Sequence, residues 1–341
     1  MLRADGSGWI GDEYGANAYH FNKDKQIDAV LPMPEALKPR NASGDLVFSS
    51  EVTPATGRRG NQGMEGLTLS PDGKKLIGLM QSAAVQDSGT ATQGRFNTRL
   101  LVWDVSESDT PTTLSAEYVL QLPTFNDTGT GAANRTGAQS EIIALDDHRF
   151  LVLSRDGNGK GTTTANAPVF KSVLLLDLTG ASNILGQYDA QGGDITPGAG
   201  TTLAPGITPI SWVEAVNMLD TTQLAKLGLN LKSGATSDLN SLSEKWEGLS
   251  MLPTGTPNEY LLIVANDNDF LSNATKMAGL DGTTINTVDA VGASGGPVKN
   301  DTMFLTYRVS VTPVPEPGST LLLAAGAASL LGFWRRRKGI R

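Results

Sequence analysis

Residues 64–81 read MEGLTLSPDGKKLIGLMQ, and the fold can be inferred from their pattern. An alternating strand leads into a Ser-Pro-Asp-Gly turn, and a second apolar strand follows the turn, which is the pattern of a β-hairpin. Segments 140–156 and 246–267 repeat the same order of glutamate, strand, turn and strand. Further strands are predicted between the copies at 99–105, 116–121 and 173–177. About four strands per repeat predict an all-β fold, and specifically a β-propeller.

The amino-acid composition limits the kinds of functional site that the chain can contain. The 341 residues carry 27 Lys and Arg against 35 Asp and Glu, a net charge of -8, which argues against a nucleic-acid partner. The absence of cysteine and the presence of two histidines exclude thiolate sites and make multi-histidine zinc sites and Ser-His-Asp catalysis improbable. Carboxylates, amides, arginines and hard metal ions remain as the groups that a functional site can use.

The chain changes character after residue 311. Prolines at 313, 315 and 317 mark a linker over 312–319, an uncharged stretch fills 320–334, and Arg335 to Lys338 are all basic. The Pro-Glu-Pro, apolar, arginine-rich order resembles the PEP-CTERM sorting signal of Gram-negative bacteria. The resemblance implies export, recognition of residues 315–338 by an exosortase-type enzyme, and a transmembrane helix over 320–334 in the inner membrane. The location it implies is the cell envelope or the medium. A buried C-terminal helix is the alternative.

The first residues do not show the pattern expected of a signal peptide, since Met1 leads directly into a turn at Asp5 and Gly6. Aligning this turn with the Asp72-Gly73 turn of the first hairpin places Met1 inside a strand. We therefore expect residues 1–311 to be a propeller domain whose first blades are missing.

Five motifs occur in an order that resembles the phytase-like propeller family, described as "esterase-like activity of phytase". They are residues 11–15 (GDEYG), 61–67 (NQGMEGL), 140–147 (SEIIALDD), 245–249 (KWEGL) and 266–270 (NDNDF). The resemblance implies a propeller of about six blades, export, calcium binding and a phosphoesterase activity.

The glutamates of the three hairpins are the leading site candidates. Because inner strands line the central channel of a propeller, Glu65, Glu141 and Glu247 should converge near its axis. Carboxylates held close together repel, and Ca²⁺ is the cation that oxygen ligands of this kind prefer. The alternative is structural: each glutamate accepts backbone N–H groups at the mouth of the channel.

Two acidic loops follow predicted strands and extend the calcium prediction. They contain Asp12 and Glu13 in the first loop and Asn266, Asp267 and Asp269 in the second. Carboxylate and amide oxygens suit Ca²⁺. The alternative is that Asn and Asp stabilise tight turns by bonding to their own backbone.

A phosphoesterase also needs a cationic group for the phosphate. Arg155 is the best placed, and Arg58, Arg59, Arg95 and Arg135 are further candidates, although an arginine among acidic residues can equally be an ion-pair partner. The predicted catalytic set is Glu65, Glu141, Arg155, Glu247 and Asp267, with Glu65 or Asp267 activating water beside calcium. The competing hypothesis is a non-catalytic propeller, stabilised by calcium, that binds a surface or matrix polymer.

One stretch, 213–228, departs from the β pattern. Asp220 or Thr221 can cap a short helix that Gly228 ends, with Leu224 and Leu227 on one face.

Overall fold

The computed structural model describes residues 1–89, 94–198, 200–269, 275–278, 284–288 and 300–311. Strands dominate these residues, so the all-β class is confirmed, while a closed propeller remains a prediction. The chain contains a large unit, Met1–Ser250 with Ile263–Leu305, and a small unit, Met251–Leu262 with Thr306–Arg341.

The strands form antiparallel sheets that follow the order of the chain. The first sheet contains β1 (Gly8–Asp12), β2 (Asn17–Phe21) and β3 (Ile27–Val30). The second contains β4 (Met64–Leu69), β5 (Lys75–Met80), β6 (Asn97–Asp104) and β7 (Ala116–Gln121). A short hairpin follows, made of β8 (Thr124–Phe125) and β9 (Arg135–Thr136).

The later strands repeat this arrangement. The third sheet contains β10 (Ala138–Ala144), β11 (Arg149–Arg155), β12 (Lys171–Asp177) and β13 (Ser211–Asn217). The remaining strands are β14 (Lys245–Pro253), β15 (Glu259–Asp267), β16 (Thr275–Ala278), β17 (Ile285–Val288) and β18 (Phe304–Ser310). The last sheet is ordered β14-β15-β18, and a separate hairpin joins β16 to β17.

The hairpin that the opening sequence predicts is confirmed as β4 and β5. Its turn is held by the Ser70 hydroxyl, which accepts hydrogen bonds from the amides of Lys74 at 3.2 Å and Lys75 at 2.9 Å. Gly73 has φ of +73°, a backbone conformation that a residue without Cβ adopts at little cost. Turn chemistry and strand alternation therefore specify the same local structure.

Apolar side chains fill the spaces between neighbouring sheets. One cluster joins the second sheet to the third and includes Leu100, Phe150 and Leu174, all buried. A second cluster joins the first sheet to the second and includes Trp9 and Trp103. Since β4 packs against both β1 and β10, the first strands of the second and third sheets lie side by side.

The long connection from β12 to β13 covers the outer edge of the second sheet. Its residues Ile184 and Ile210 donate backbone hydrogen bonds, each 2.8 Å long, to the carbonyls of Glu117 and Val119 in β7. Edge strands expose unpaired backbone groups, so this connection satisfies part of an edge that would otherwise be open.

The stretch expected to depart from β structure does so only in its second half. Residues Ser211–Asn217 form β13, which the sequence reading missed because its burial does not alternate. The predicted helix is confirmed as α1 (Thr221–Lys226), and the Asp220 side chain caps it by accepting from the amides of Thr222 and Gln223. Leu224 is buried as expected, whereas Leu227 is exposed.

The predicted linker and transmembrane helix, 312–319 and 320–334, lie outside the described residues. Within the described part of the chain, no helix has the length and apolar character needed to cross a bilayer.

Candidate carboxylate–arginine site

Four sheets each place one charged side chain in a common electrostatic environment. Glu13 follows β1, Glu65 lies in β4, Arg155 ends β11, and Glu247 lies near the start of β14. The Arg155 guanidinium forms an ion pair with the Glu247 carboxylate. We call these four residues the carboxylate–arginine cluster. The charges of its other three members all act on the pKa of Glu65.

Glu65 is the most perturbed acid of the cluster. Burial raises its pKa to about 8, and the negative charges of Glu247 and Glu13 act in the same direction. Arg155 and a hydrogen bond from Gln81 oppose the shift without cancelling it. The Glu65 carboxyl group therefore holds a proton at neutral pH.

Glu13 is perturbed in the same direction. Burial, followed by the charge of Glu247, raises its pKa to about 7, against the opposing charges of Lys245, Arg58 and Arg155. The cluster thus contains two carboxyl groups that titrate near neutral pH beside an ion pair. Perturbed acids of this kind are frequent in functional sites, since their protonation can change during binding or reaction.

Several buried polar atoms around the cluster have no hydrogen-bond partner among the described residues. They are Glu65 Oε2, Gln81 Oε1, Gln139 Oε1, Ser140 Oγ and Arg155 Nε. Backbone contact keeps two of their residues together, because the amide of Gln139 donates to the carbonyl of Gln81 over 3.1 Å. Buried polar groups are normally satisfied, so four unsatisfied oxygens indicate a place for water or a cation. Their chemistry fits Ca²⁺, which takes carboxylate, amide and hydroxyl oxygens.

The sequence reading missed Gln81, Gln139 and Ser140. A signal was present, because each lies within the repeated hairpins, where Gln81 follows β5 and the other two begin β10. Polar residues at the ends of otherwise apolar strands mark the surface from which loops and ligands are reached.

The predicted equivalence of Glu65 and Glu141 is wrong by one residue. In the second sheet Met64 pairs with Met80 and Gly66 with Leu79, so a β-bulge falls at Glu65. In the third sheet the bulge falls at Ser140, between paired residues Gln139 and Glu141. Ser140 therefore occupies the place of Glu65, and a one-residue slip in a strand sends side chains to the opposite face.

Glu141 has separate surroundings as a result. Its carboxylate accepts a 2.9 Å hydrogen bond from the amide of Ile142. Burial raises its pKa to about 7, while this bond and one from the amide of Leu67 oppose the shift. At this position the structure favours the alternative in which the glutamate accepts backbone N–H groups.

A buried ion pair next to Arg155 in the sequence fixes the backbone around it. Asp156 accepts from Lys171 Nζ over 2.8 Å, and both side chains are almost fully buried. The same carboxylate accepts the amides of Val169 and Phe170, while Lys171 also donates to the carbonyl of Glu244. Because these bonds tie β11 to β12 and to the segment before β14, they fix the backbone that carries Arg155 and Glu247.

The two acidic loops engage mainly in local bonds. Asp12 accepts the amide of Tyr14 and the hydroxyl of Tyr19, and Asp267 accepts the amide of Asp269. Asp269 forms an ion pair with Lys245, and Asn266 is buried against Ser243, whose hydroxyl it contacts at 2.9 Å. Asx-type turns, the alternative to metal ligation, are thus present in both loops.

No ready-made acidic metal centre occurs among the described residues, where no three Asp, Glu, His or Cys side chains are grouped to hold an ion. Calcium binding by the predicted set remains a prediction. The set comprises Asp12, Glu13, Glu65, Glu141, Glu247, Asn266, Asp267 and Asp269.

Gly63 sets the separation of the Glu13 loop from β4. A Cβ at Gly63 would overlap the backbone of Glu13, including its carbonyl oxygen. We expect Gly63→Ala to displace this loop and to lower the free energy of unfolding by about 1–3 kcal/mol, the usual cost of overpacking. Urea denaturation measures the change.

The matched control is Gly157→Ala, since a Cβ there has no neighbour within 4 Å. Equal stability losses in the two variants would contradict the close approach of Glu13 to Gly63.

Repeated antiparallel sheets with acidic and arginine side chains gathered at strand ends define a class, that of all-β proteins whose repeated sheets carry the site at the ends of their strands. Comparison with known proteins then gives the family. The sequence pattern of the phytase-like family, "Esterase-like activity of phytase", matches residues 1–270. The chain therefore belongs to the phytase-like family.

Two further similarities concern the C-terminal segment and a fungal relative. The PEP-CTERM protein-sorting motif, which exosortase-type enzymes recognise, matches residues 313–338. An "Uncharacterized secreted protein" of the fungus Arthroderma benhamiae is 33% identical over 303 residues, which cover 80% of this chain. The match covers 57% of the fungal protein, so the chain spans little more than half of that relative's length.

Proposed function

We propose that this is an exported phytase-like protein that hydrolyses phosphoesters with the help of Ca²⁺. The observation that carries the proposal is the carboxylate–arginine cluster, in which Arg155 pairs with Glu247 and its charge acts on Glu13 and Glu65, while several buried oxygens lack partners among the described residues. Membership of the phytase-like family supports the reaction class. The sorting motif and the secreted fungal relative support export, with the cell envelope or medium as the destination.

The residues of the cluster suit distinct tasks. Glu65, protonated at neutral pH, can give its proton to the leaving oxygen of a phosphoester and take one from water afterwards. Arg155 presents a guanidinium that can hold a phosphate oxygen while Glu247 fixes its orientation. Calcium, when bound, would supply charge neutralisation and polarise the phosphate. The sequence-based proposal of Asp267 as a second proton acceptor stands beside these assignments.

The second candidate is a non-catalytic module, stabilised by calcium, that binds an extracellular polymer. It is favoured by the local bonds of the acidic loops, where Asp12 and Asp267 support turns and Asp269 pairs with Lys245. Both candidates bind metal, and only the first turns over a substrate.

Hydrolysis of phytate and a chromogenic phosphomonoester by the full chain in mild detergent separates the two. We expect turnover that EDTA abolishes and calcium restores. Glu65→Gln should lower kcat by about 100-fold or more, as removal of a general acid does, because a glutamine cannot donate a proton. Glu51→Gln, at an exposed position remote from strand ends, is the matched control.

Absence of turnover in the wild type, with calcium still raising the melting temperature, would contradict the hydrolase and leave the binding module.

A further inference from the structure

The arginines of the described residues divide into three groups by their partners. Most form an ion pair with a carboxylate. Arg58 is buried and donates to backbone carbonyls, including those of Tyr14 and Val47. Arg59 and Arg95 differ, since neither has a carboxylate within ion-pair distance in the described part of the chain. Among the five arginines that the sequence made candidates for phosphate binding, these two have neither a carboxylate partner nor, among the described residues, a set of backbone carbonyls like that around Arg58.

Arg59 is held in place with donors to spare. One Nη donates to the Ser88 hydroxyl, and that hydroxyl is itself anchored 3.2 Å from the carbonyls of Ala84 and Val85. The Nε of Arg59 is buried and has no partner among the described residues. A buried N–H without an acceptor costs free energy, so its presence indicates a place where an acceptor can enter.

Arg95 adds a second positive charge beside Arg59. The Arg95 carbonyl accepts the amide of Ala83 at 3.0 Å, next to Ala84, whose carbonyl anchors Ser88. Burial, and then the charge of Arg95, lowers the pKa of Arg59 to about 10, which leaves Arg59 charged at neutral pH. Two guanidiniums held near each other without a carboxylate repel, and a bound anion removes that repulsion. In a protein with a net charge of -8, two neighbouring guanidiniums without a carboxylate partner among the described residues form a locally positive surface that favours an anion.

The pair lies at the same end of the second sheet as Glu65. Arg59 precedes β4, Ser88 follows β5, and Arg95 precedes β6. Because neighbouring strands are antiparallel, the start of β4, the end of β5 and the start of β6 lie at the same end of the sheet.

We propose that Arg59 and Arg95 form a binding site for the phosphate group of a phosphomonoester. Guanidiniums bind tetrahedral oxyanions through paired N–H donors, and two of them can hold three or more phosphate oxygens. The choice of a phosphomonoester over another dianion rests on the proposed hydrolase function. Binding of the oxyanion itself requires no turnover.

Calorimetric titration of the full chain, in mild detergent and with EDTA present, tests the site with inorganic phosphate and phenyl phosphate as probes. We expect Arg59→Gln and Arg95→Gln each to weaken phosphate binding by about tenfold or more, the effect of losing a charged hydrogen-bond donor. Arg135→Gln is the matched control, because its guanidinium is exposed and already paired with Asp127 at 2.9 Å. Acetate, which is not tetrahedral, should bind weakly to all forms.

Arg59→Lys keeps the positive charge and serves as a second variant in case Arg59→Gln does not fold. It should retain the wild-type melting temperature and bind phosphate more weakly, since an ammonium cannot offer paired donors. Unchanged phosphate affinity in both the Arg59 and Arg95 variants would overturn the proposal, as would an equal loss in Arg135→Gln. Phosphate binding without turnover would support the binding site and contradict the hydrolase. Turnover that neither arginine substitution changes, with phosphate affinity also unchanged, would support the hydrolase and contradict the binding site.

Discussion

Replacing Arg99 by methionine is expected to lower the free energy of unfolding by about 3–5 kcal/mol, the cost of breaking a buried ion pair from one side. Arg99 holds Asp87 through two hydrogen bonds of 2.7 and 2.9 Å and Glu117 through one of 3.1 Å. All three side chains are fully buried. Methionine fills much of the volume but leaves two carboxylates in the interior without a cation.

The arginine also connects the second sheet to the connection that covers it. Its Nη atoms donate to the carbonyls of Tyr188 and Gly193, and the Asp87 carboxylate accepts the amide of Ile195. Burial alone would lower the pKa of Arg99, but the two carboxylates outweigh it and raise the pKa above its ordinary value. Loss of the cation should therefore loosen the covering connection as well as the sheet.

Urea denaturation at pH 5 and pH 8 measures the effect. Burial already raises the pKa of Glu117 to about 7 despite Arg99, so in the variant it should be protonated more readily and the loss should be smaller at pH 5. Adding Glu117→Gln to Arg99→Met should recover part of the stability. Arg135→Met, which removes an exposed ion pair, should cost about 0–1 kcal/mol. A similar loss in both single variants would contradict the role of the buried triad.

The hairpins could be predicted from the sequence because their information is local. Apolar alternation and the Ser70 to Gly73 turn fix β4 and β5 without reference to the rest of the chain. The strand β13 lacked such a signal, since its side chains are mostly exposed and its place depends on pairing with β12.

The cluster was predictable in part. Glu65, Glu247 and Arg155 could be chosen because each lies at a strand end of the repeat, and Glu13 because it follows a predicted strand. The strand register could not be predicted, because a β-bulge adds one residue without a recognisable sequence signal. For this reason Glu141 was expected at the position that Ser140 occupies. The pairing of Arg99 with Asp87 and Glu117 depends on strand neighbours and a loop that sequence spacing does not reveal.

Replacing Glu65 by glutamine is expected to change how stability depends on pH in the calcium-free protein. The ordinary pKa of a glutamate is 4.5, and the folded protein raises that of Glu65 to about 8. Between these values the folded state binds more protons than the unfolded state, so the free energy of unfolding falls as pH rises. The slope reaches about 1.4 kcal/mol per pH unit for one group.

Other buried carboxyl groups also make the free energy of unfolding fall as pH rises, but over a lower pH range. The pKa values of Glu13, Glu117 and Glu141 are each raised to about 7, so much of their effect is complete before that of Glu65 ends. Lys171, whose pKa burial lowers to about 8, acts in the opposite direction as pH rises through 8, so it is the difference between Glu65→Gln and the wild type that reports on Glu65 from pH 7 to 8.5. Urea denaturation with EDTA present, at closely spaced pH values, should show the wild type losing stability relative to Glu65→Gln across this interval.

The direction of the effect separates this role from simple packing. Glu65→Gln should be more stable than the wild type at pH 8.5 and gain less, or nothing, at pH 5, where the wild-type carboxyl group is already neutral. Glu51→Gln should follow the wild-type curve, since its side chain is exposed. Calcium, if it binds the ionised cluster, should raise wild-type stability more at pH 8.5 than at pH 6, because binding must displace the Glu65 proton. Parallel curves for Glu65→Gln and the wild type between pH 7 and 8.5 would show that Glu65 is ionised throughout this range, and its assignment as the proton donor would fail with them.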